Sequence, residues 1–371
     1  MHISEAIKIE RFPLSRNNSL QAWNAADEYL LNYWNKINIK NSNIAIYNDR
    51  FGYLANHLNK YNPISIIDFK SQEKAIKHNL EKNGFDFNKE KIFYPIDKLP
   101  KPLDYVFLKI PKSLDLFKLY LNQISQFSNK NTTVICSFMT KNFSQQYVKI
   151  SENYFSESEQ SLAKKKARLL ILKKPLHTKA HSIINTIQIN KEEYLKQYYG
   201  VFSAHNIDYA TQFLLQNIEL NSNEKEILDL GSGNGVIAYH IAKTYDTLGL
   251  EAPNIYLVDD SYLAIESSKL NLKGKNFKFS FNDNIEDFMD ESLDLIITNP
   301  PFHFDYEINT ETTFNLFYQS KTKLKKEGRL VIVANRHLNY RSFLKKLFPR
   351  TDTIGENHKF VVFECYKYKR Q

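Results

Sequence analysis

Cysteine is nearly missing: Cys136 and Cys365 are the only two in 371 residues. Two thiols cannot make a disulfide framework or a four-ligand zinc site. No run of 18 apolar residues occurs, which excludes a membrane-spanning helix. Glu5, Lys8, Glu10 and Arg11 interrupt the first apolar stretch, so no secretion signal is expected. These absences point to a soluble protein of a reducing, cytoplasmic compartment. Hydrophobic residues make up 42%, with 26 Phe and 23 Tyr, which rules out a wholly disordered or collagen-like chain. The length is about twice that of a usual single domain, so two domains are expected, 1–190 and 191–371.

The net charge of +9 is unevenly spread. Residues 1–190 carry 28 Lys and Arg against 16 Asp and Glu, whereas residues 191–371 carry 22 against 25. A basic half beside a near-neutral half suggests a part that handles a polyanion next to a part that does chemistry. Lys164, Lys165, Lys166, Arg168, Lys173 and Lys174 crowd into one stretch and are the candidate contacts of such a polyanion. A Lys-rich surface without a partner is the plainer alternative.

The C-terminal half alternates strands and helices. EILDL (226–230) breaks into GSGNG and then the helical pattern VIAYHIAKTY. NIYLVDDS (254–261) is a strand ending in acid, followed by a helix over 262–272. NFKFSFND (276–283), SLDLIITNPPF (292–302) and GRLVIVANRHL (328–338) supply three further strands. This order predicts βαβ units and a parallel sheet, closed by an antiparallel strand in HKFVVFECYKYK. The N-terminal half repeats the order more weakly, with NIAIYNDRFG, PISIIDFK, PLDYVFLKIPKS and NTTVICSFMT. Aligning LDYVFLKIP with LDLIITNPP sets Lys109 opposite Asn299 and Pro111 opposite Pro301, and Asp68 is expected to match Asp259. The repeat reads as a duplication whose first copy has lost its chemistry.

Two motifs carry the chemistry. Gly231, Gly233 and Gly235 occupy the turn after the first C-terminal strand, where they permit positive φ and close approach of a ligand to the backbone. Asp259 lies 24 residues beyond Gly235, placed to take two ribose hydroxyls. Asp229, just before the glycines, favours a cationic ligand over a pyrophosphate. Asn299-Pro300-Pro301-Phe302 then follows the fourth strand. Two prolines stiffen the segment, so the Asn299 side-chain oxygen and the Pro300 carbonyl can accept both protons of a planar exocyclic amine. Those hydrogen bonds help the nitrogen pyramidalise as it attacks an electrophilic methyl, and Phe302 offers a face for a flipped base. A tight turn and a rigid loop without function are the bland readings of the two motifs.

DLGSGNG, VDDS and NPPF in this order resemble the class I S-adenosylmethionine-dependent methyltransferases that modify amino nitrogens. LQAWNAADEYLL (20–31), KKARLL (165–170), VFS (201–203), NPPFH (299–303), VANRHLNY (333–340) and NHKFVV (357–362) look like the large-subunit ribosomal RNA guanine-N2 methyltransferases. The resemblance implies two tandem Rossmann-like α/β domains, the first degenerate. It implies that Asp229, Gly231, Gly233 and Gly235 hold the methionine end of S-adenosylmethionine, Asp259 the ribose and Asp283 the adenine amine. Asn299, Pro300 and Phe302 would hold the guanine, with no metal involved. Ser232 departs from the family, where Cys is often found, and YNDRFG and LKIP depart from it throughout the first copy. The substrate implied is 23S ribosomal RNA. Methylation of 16S RNA, glutamine N5 methylation of a protein and a non-catalytic RNA-binding assembly factor remain alternatives.

Overall fold

The computed structural model describes residues 7–14, 20–37, 42–100, 102–176, 182–300, 310–338 and 340–368. They form two compact units, Met1–Ile183 and Ile184–Gln371.

The first unit begins with helix α1 (Ala25–Trp34), then β1 (Ile44–Tyr47), α2 (Tyr53–His57), β2 (Ile64–Ile66), α3 (Lys70–Lys82), β3 (Ile92–Phe93) and β4 (Leu103–Lys109). After these come α4 (Leu114–Gln126), β5 (Ser128–Met139), α5 (Gln145–Ser151), β6 (Phe155–Gln160) and β7 (Ala167–Pro175). The strands order as β3-β2-β1-β4-β5-β7-β6. The second unit opens on a hairpin, β8 (Ile184–Gln188) and β9 (Tyr194–Tyr198), which forms its own small sheet. Then follow α6 (Tyr209–Asn217), β10 (Glu226–Leu230), α7 (Val236–Thr247), β11 (Asn254–Asp259), α8 (Tyr262–Asn271), β12 (Phe277–Phe281) and β13 (Leu293–Thr298). It ends with α9 (Thr310–Lys323), β14 (Leu324–Asn335), α10 (Tyr340–Leu347), β15 (Arg350–Glu356) and β16 (Phe360–Tyr366), in the sheet order β12-β11-β10-β13-β14-β16-β15. The two seven-stranded sheets thus share one topology, five parallel strands closed by an antiparallel pair. That identity is the duplication the sequence repeat anticipates.

Period-two alternation builds the second sheet's two layers. Leu228, Leu230, Ile296, Leu330 and Ile332 pack with Phe317, Tyr340 and Leu344 from α9 and α10. Ile227, Leu295, Ile297, Val331 and Val333 pack on the other face against Leu214, Ile237, Ile241 and Tyr245 from α6 and α7. Asp229 falls on the α7 side of this alternation. At the opposite end of the strands the buried Arg329 guanidinium bonds Glu224, at 2.7 Å, and Glu364.

The shared register gives a residue-level alignment of the units. Ile44 pairs with Tyr105 and Ile227 with Leu295, each two residues into the matching Leu-Asp strand, so Ile44 corresponds to Ile227. Asn48 then falls on Gly231 and Gly52 on Gly235. The backbone agrees: Asn48 has φ 59° against 74°, and Gly52 has 77° against 82°. One correction follows. Val258 corresponds to Ile66, which puts Ile67 at the place of Asp259 and moves Asp68 onto Asp260. The acids at the two strand ends look alike in sequence because both chains turn there, but they are offset by one residue and so leave the sheet differently.

Candidate active site

The glycine loop sits where β10 delivers its chain end at the carboxyl edge of the parallel strands, the usual ligand edge of such sheets. Gly231 N–H donates to the Val258 carbonyl at 2.8 Å, and Gly235 N–H to that of Ser232 at 2.8 Å, which closes the turn onto β11. All three loop glycines have positive φ. Their surroundings separate their roles. A methyl added to Gly235 would meet Leu272 at 2.9 Å and Ser268 at 3.1 Å, so this glycine serves the close packing of α7 on α8. Among the described residues, Gly233 has no atom within 4 Å of such a methyl, and Gly231 only the Asn299 carbonyl at 4.0 Å. Those two line open space.

The acids hold the loop in shape and keep acceptor capacity. Asp229 is fully buried; its Oδ2 accepts from Ala238 N–H of α7 at 3.1 Å, while its Oδ1 has no partner among the described residues. Burial, reinforced by the charge of Asp259, pushes its carboxyl up to about 8 despite the Ala238 bond. Asp259 accepts from Gly233 N–H at 2.8 Å and Ser261 N–H at 2.7 Å. Desolvation raises it to about 6, with the two backbone donors opposing and the Asp260 charge assisting. Asn282 N–H bonds the Asp259 carbonyl at 3.1 Å, which brings the neighbouring Asp283 to the same edge. A buried carboxyl at Asp229 and a half-buried one at Asp259, both raised above the usual carboxylate range, would ionise more readily beside a positive charge.

Asn299 follows β13 directly. Its Nδ2 donates to Asp208 Oδ2 at 3.0 Å and Thr211 Oγ1 at 2.9 Å. A carboxylate only accepts, so the amide orientation is fixed, and the buried Oδ1 has no donor among the described residues. Asp208 is itself held as the N-cap of α6 by the amides of Ala210 and Thr211. Pro300 is buried beside it; Pro301 and Phe302 lie outside the described residues. The hairpin is joined to the loop through Gln197, which accepts from Asn234 Nδ2 at 2.8 Å, and through Asn271, which bonds the Lys196 and Asn234 carbonyls at 2.9 Å each. Sequence reading missed Asp208, Thr211, Gln197 and Asn271. Only the Asp208 N-cap pattern before an apolar helix was visible there, and nothing tied it to Asn299, 91 residues away.

The first unit preserves the scaffold with other side chains. Ala55 corresponds to Ala238, and its N–H bonds Asp49 Oδ2 at 2.9 Å, so the helix start keeps a buried carboxyl supplied from a different position. Burial raises Asp49 to about 7. Lys109 stands for Asn299 and bonds Asp27 of α1 at 2.7 Å, replacing an amide tie by an ion pair. Arg50 lies over the rings of Phe51 and Phe69, at 5.6 and 5.7 Å.

The six basic candidates do not form one patch. Lys165 and Lys166 are the two central residues of the β6–β7 turn, with φ 48° and 62°, and Lys164 and Ala167 close it by mutual backbone bonds. Two lysines held in a turn that favours Asn-Gly mark a tip chosen for charge over turn propensity. Ala167 pairs with Met139, so the tip lies at the carboxyl edge of the parallel strands. Arg168 follows in β7. Lys173 and Lys174 lie at the opposite end of that strand, roughly 25 Å away at ~3.3 Å per residue, with Lys174 paired to Glu157.

Fold and site together define a class I S-adenosylmethionine-dependent methyltransferase: the strand order, the open glycine loop and a buried Asp229 oxygen without a partner among the described residues fit that cofactor. The family models for the RLMG N-terminal domain and the Methyltransferase small domain match residues 2–177 and 192–364. Ribosomal RNA large subunit methyltransferase G of Yersinia enterocolitica is 32% identical over 98% of this chain and 93% of its own length, and that of Yersinia pestis (strain Pestoides F) matches to the same extent. The chain belongs to the ribosomal RNA large subunit methyltransferase G family. In fold it is similar to the T. thermophilus 16S rRNA N2 methyltransferase RsmC, solved with AdoMet and guanosine. The TM-score is 0.74, at 18% identity and coverage of 93% of this chain and 92% of that one.

Proposed function

We propose that this protein methylates the N2 amine of a guanine in 23S ribosomal RNA, with catalysis in the C-terminal unit and RNA held by the N-terminal one. The observation that carries the reading is the fixed Asn299 Oδ1, without a partner among the described residues, beside the open glycine loop. When bound, S-adenosylmethionine supplies a methyl group on a positively charged sulfur. Asp229 would take the ammonium, Asp259 the ribose hydroxyls through lone pairs its backbone donors leave free, and Asp283 the adenine amine. Gly231 and Gly233 leave room for the ligand. Asn299 Oδ1 and the Pro300 carbonyl would accept the two protons of the guanine amine, drawing its lone pair out of the ring, and Phe302 would stack on the base. Asp208 and Thr211 hold Asn299 so that this acceptor needs no reorganisation. One amine proton passes to solvent after transfer.

The basic turn of Lys164, Lys165 and Lys166, on the side where Lys109 and Asp49 replace the chemical residues, supports an RNA-holding role for the N-terminal unit. Arg168 adds to that end, and Lys173 and Lys174 to a weaker, separate contact. No helix among the described residues is long and apolar enough to cross a membrane, and a cytoplasmic site of action goes with the ribosomal substrate.

The test supplies labelled S-adenosylmethionine with deproteinised 23S and 16S RNA and analyses the nucleosides. N2-methylguanosine from 23S RNA is expected. A non-catalytic assembly factor gives no label, and label confined to 16S RNA would refute the substrate.

A further inference from the structure

The N-terminal unit contains an open cavity of about 240 Å³ whose lining includes Ile9, Trp23, Glu28, Asn32, Tyr53 and His57. Its aromatic wall is ordered. Trp23 stacks on Tyr53 with centroids 5.5 Å apart at 19°, and Tyr53 meets the His57 ring at 4.3 Å. His57 Nδ1 lies 2.8 Å from the Tyr53 carbonyl, so in the neutral ring Nδ1 donates and Nε2 is an acceptor. Glu28 is steadied from both sides: Trp23 Nε1 donates to Oε1 at 3.3 Å and Lys165 Nζ to Oε2 at 3.2 Å. Each oxygen keeps a further lone pair. The second of these bonds sets the cavity beside the basic β6–β7 turn, where Lys164 also lies over the Tyr29 ring at 5.2 Å.

We propose that this cavity takes an unpaired guanine of the RNA, a second base contact separate from the one at Asn299. The proposal rests on the reading of the N-terminal unit as RNA-binding and adds base recognition to it. Single-stranded RNA is read by stacking bases on aromatic rings and bonding their exposed edges. The Watson–Crick edge of guanine presents two adjacent N–H donors, N1 and N2, which a carboxylate accepts together. Adenine and cytosine put a ring acceptor where guanine has N1–H, and that acceptor would face the Glu28 charge. Lys164, Lys165 and Lys166 stand where the flanking phosphates would run.

Trp23 makes the test specific. The chain has two tryptophans, Trp23 and Trp34, both in the first unit, and Trp34 is buried at 1% exposure. The full-length protein is titrated with the ribotrinucleotides ApGpA and ApApA while tryptophan emission is followed, and binding is measured independently by anisotropy of labelled copies. Quenching by ApGpA at about tenfold lower concentration than by ApApA is expected, and Glu28→Gln is expected to remove that preference. His57→Ala, which leaves Glu28 in place, should weaken both ligands. Anisotropy showing binding without quenching, or quenching equal for the two trinucleotides, overturns the guanine pocket and leaves the RNA-binding unit standing. Binding of neither trinucleotide nor longer ribosomal RNA fragments by anisotropy overturns both.

Discussion

Asn299 is worth isolating at the level of single residues because its two ends do different things. Nδ2 is taken by Asp208 and Thr211, and Oδ1 has no partner among the described residues. Asn299→Ala is therefore expected to lower turnover by about 100–1,000-fold, the usual loss for one preorganised donor or acceptor, while equilibrium titration finds cofactor affinity nearly unchanged. Turnover within a few-fold of the parent would remove Asn299 from the chemistry. Asp229 is expected to behave oppositely, binding the cofactor at a cost in stability. Its carboxyl is raised from 3.8 to about 8 and that of Asp259 to about 6. A carboxyl raised in the folded state stabilises the fold below its unfolded value, and that stabilisation is lost as pH climbs towards the folded one. The unliganded protein should lose stability between about pH 4 and 8, and Asp229→Asn should raise its melting temperature at pH 8. Calorimetry would check the sign. Cofactor affinity should move the other way, falling as pH drops from 8 to 6 in the parent, because a cationic ligand needs the ionised carboxylates.

At the scale of elements, the glycine loop separates ligand space from packing. Gly233→Ala puts a methyl into open space at φ 56°, which costs about 1–2 kcal/mol of stability and should weaken S-adenosylhomocysteine binding. Gly235→Ala drives a methyl onto Leu272 and Ser268 at φ 82°, so denaturant midpoints should fall further for this variant than for Gly233→Ala. Equal midpoints would mean that α7 and α8 can move apart. The elements legible in the sequence were those with strong local signals: β10, β11, β13 and β14 from apolar runs, α7 and α8 from helical periodicity, the loop from its glycines. Two-residue β3 has too little pattern to be read. The β8–β9 hairpin lay inside a basic, glycine-poor stretch that concealed its turn. Asp208 and Gln197 were illegible for another reason: each acts through a partner brought near only by the fold. For the lysines, crowding in sequence does not show that a strand carries Lys173 and Lys174 away from the Lys164–Lys166 tip.

Taken whole, the molecule uses one topology twice and keeps the same supports in both copies. A buried carboxyl meets the start of α2 as it meets that of α7, and a side chain at the end of the fourth strand is tied to the helix that precedes the first strand of the sheet in each. What differs is the group at that strand end: an amide whose Oδ1 has no partner among the described residues at Asn299, an ion-paired ammonium at Lys109. Charge follows this division, so replacing Lys164, Lys165 and Lys166 by Gln should weaken RNA binding and flatten its salt dependence by about 0.7 in log–log slope per lost contact. Cofactor titration of that variant should match the parent. A parent-like salt slope would assign the RNA surface elsewhere.

The most direct measurement maps methylated nucleosides by mass in 23S and 16S RNA from cells that have this protein and cells that lack it. One N2-methylguanosine should disappear from 23S RNA alone, return with the parent chain and stay missing with Asn299→Ala. An unchanged 23S map, or restoration by Asn299→Ala, would contradict guanine methylation at this site.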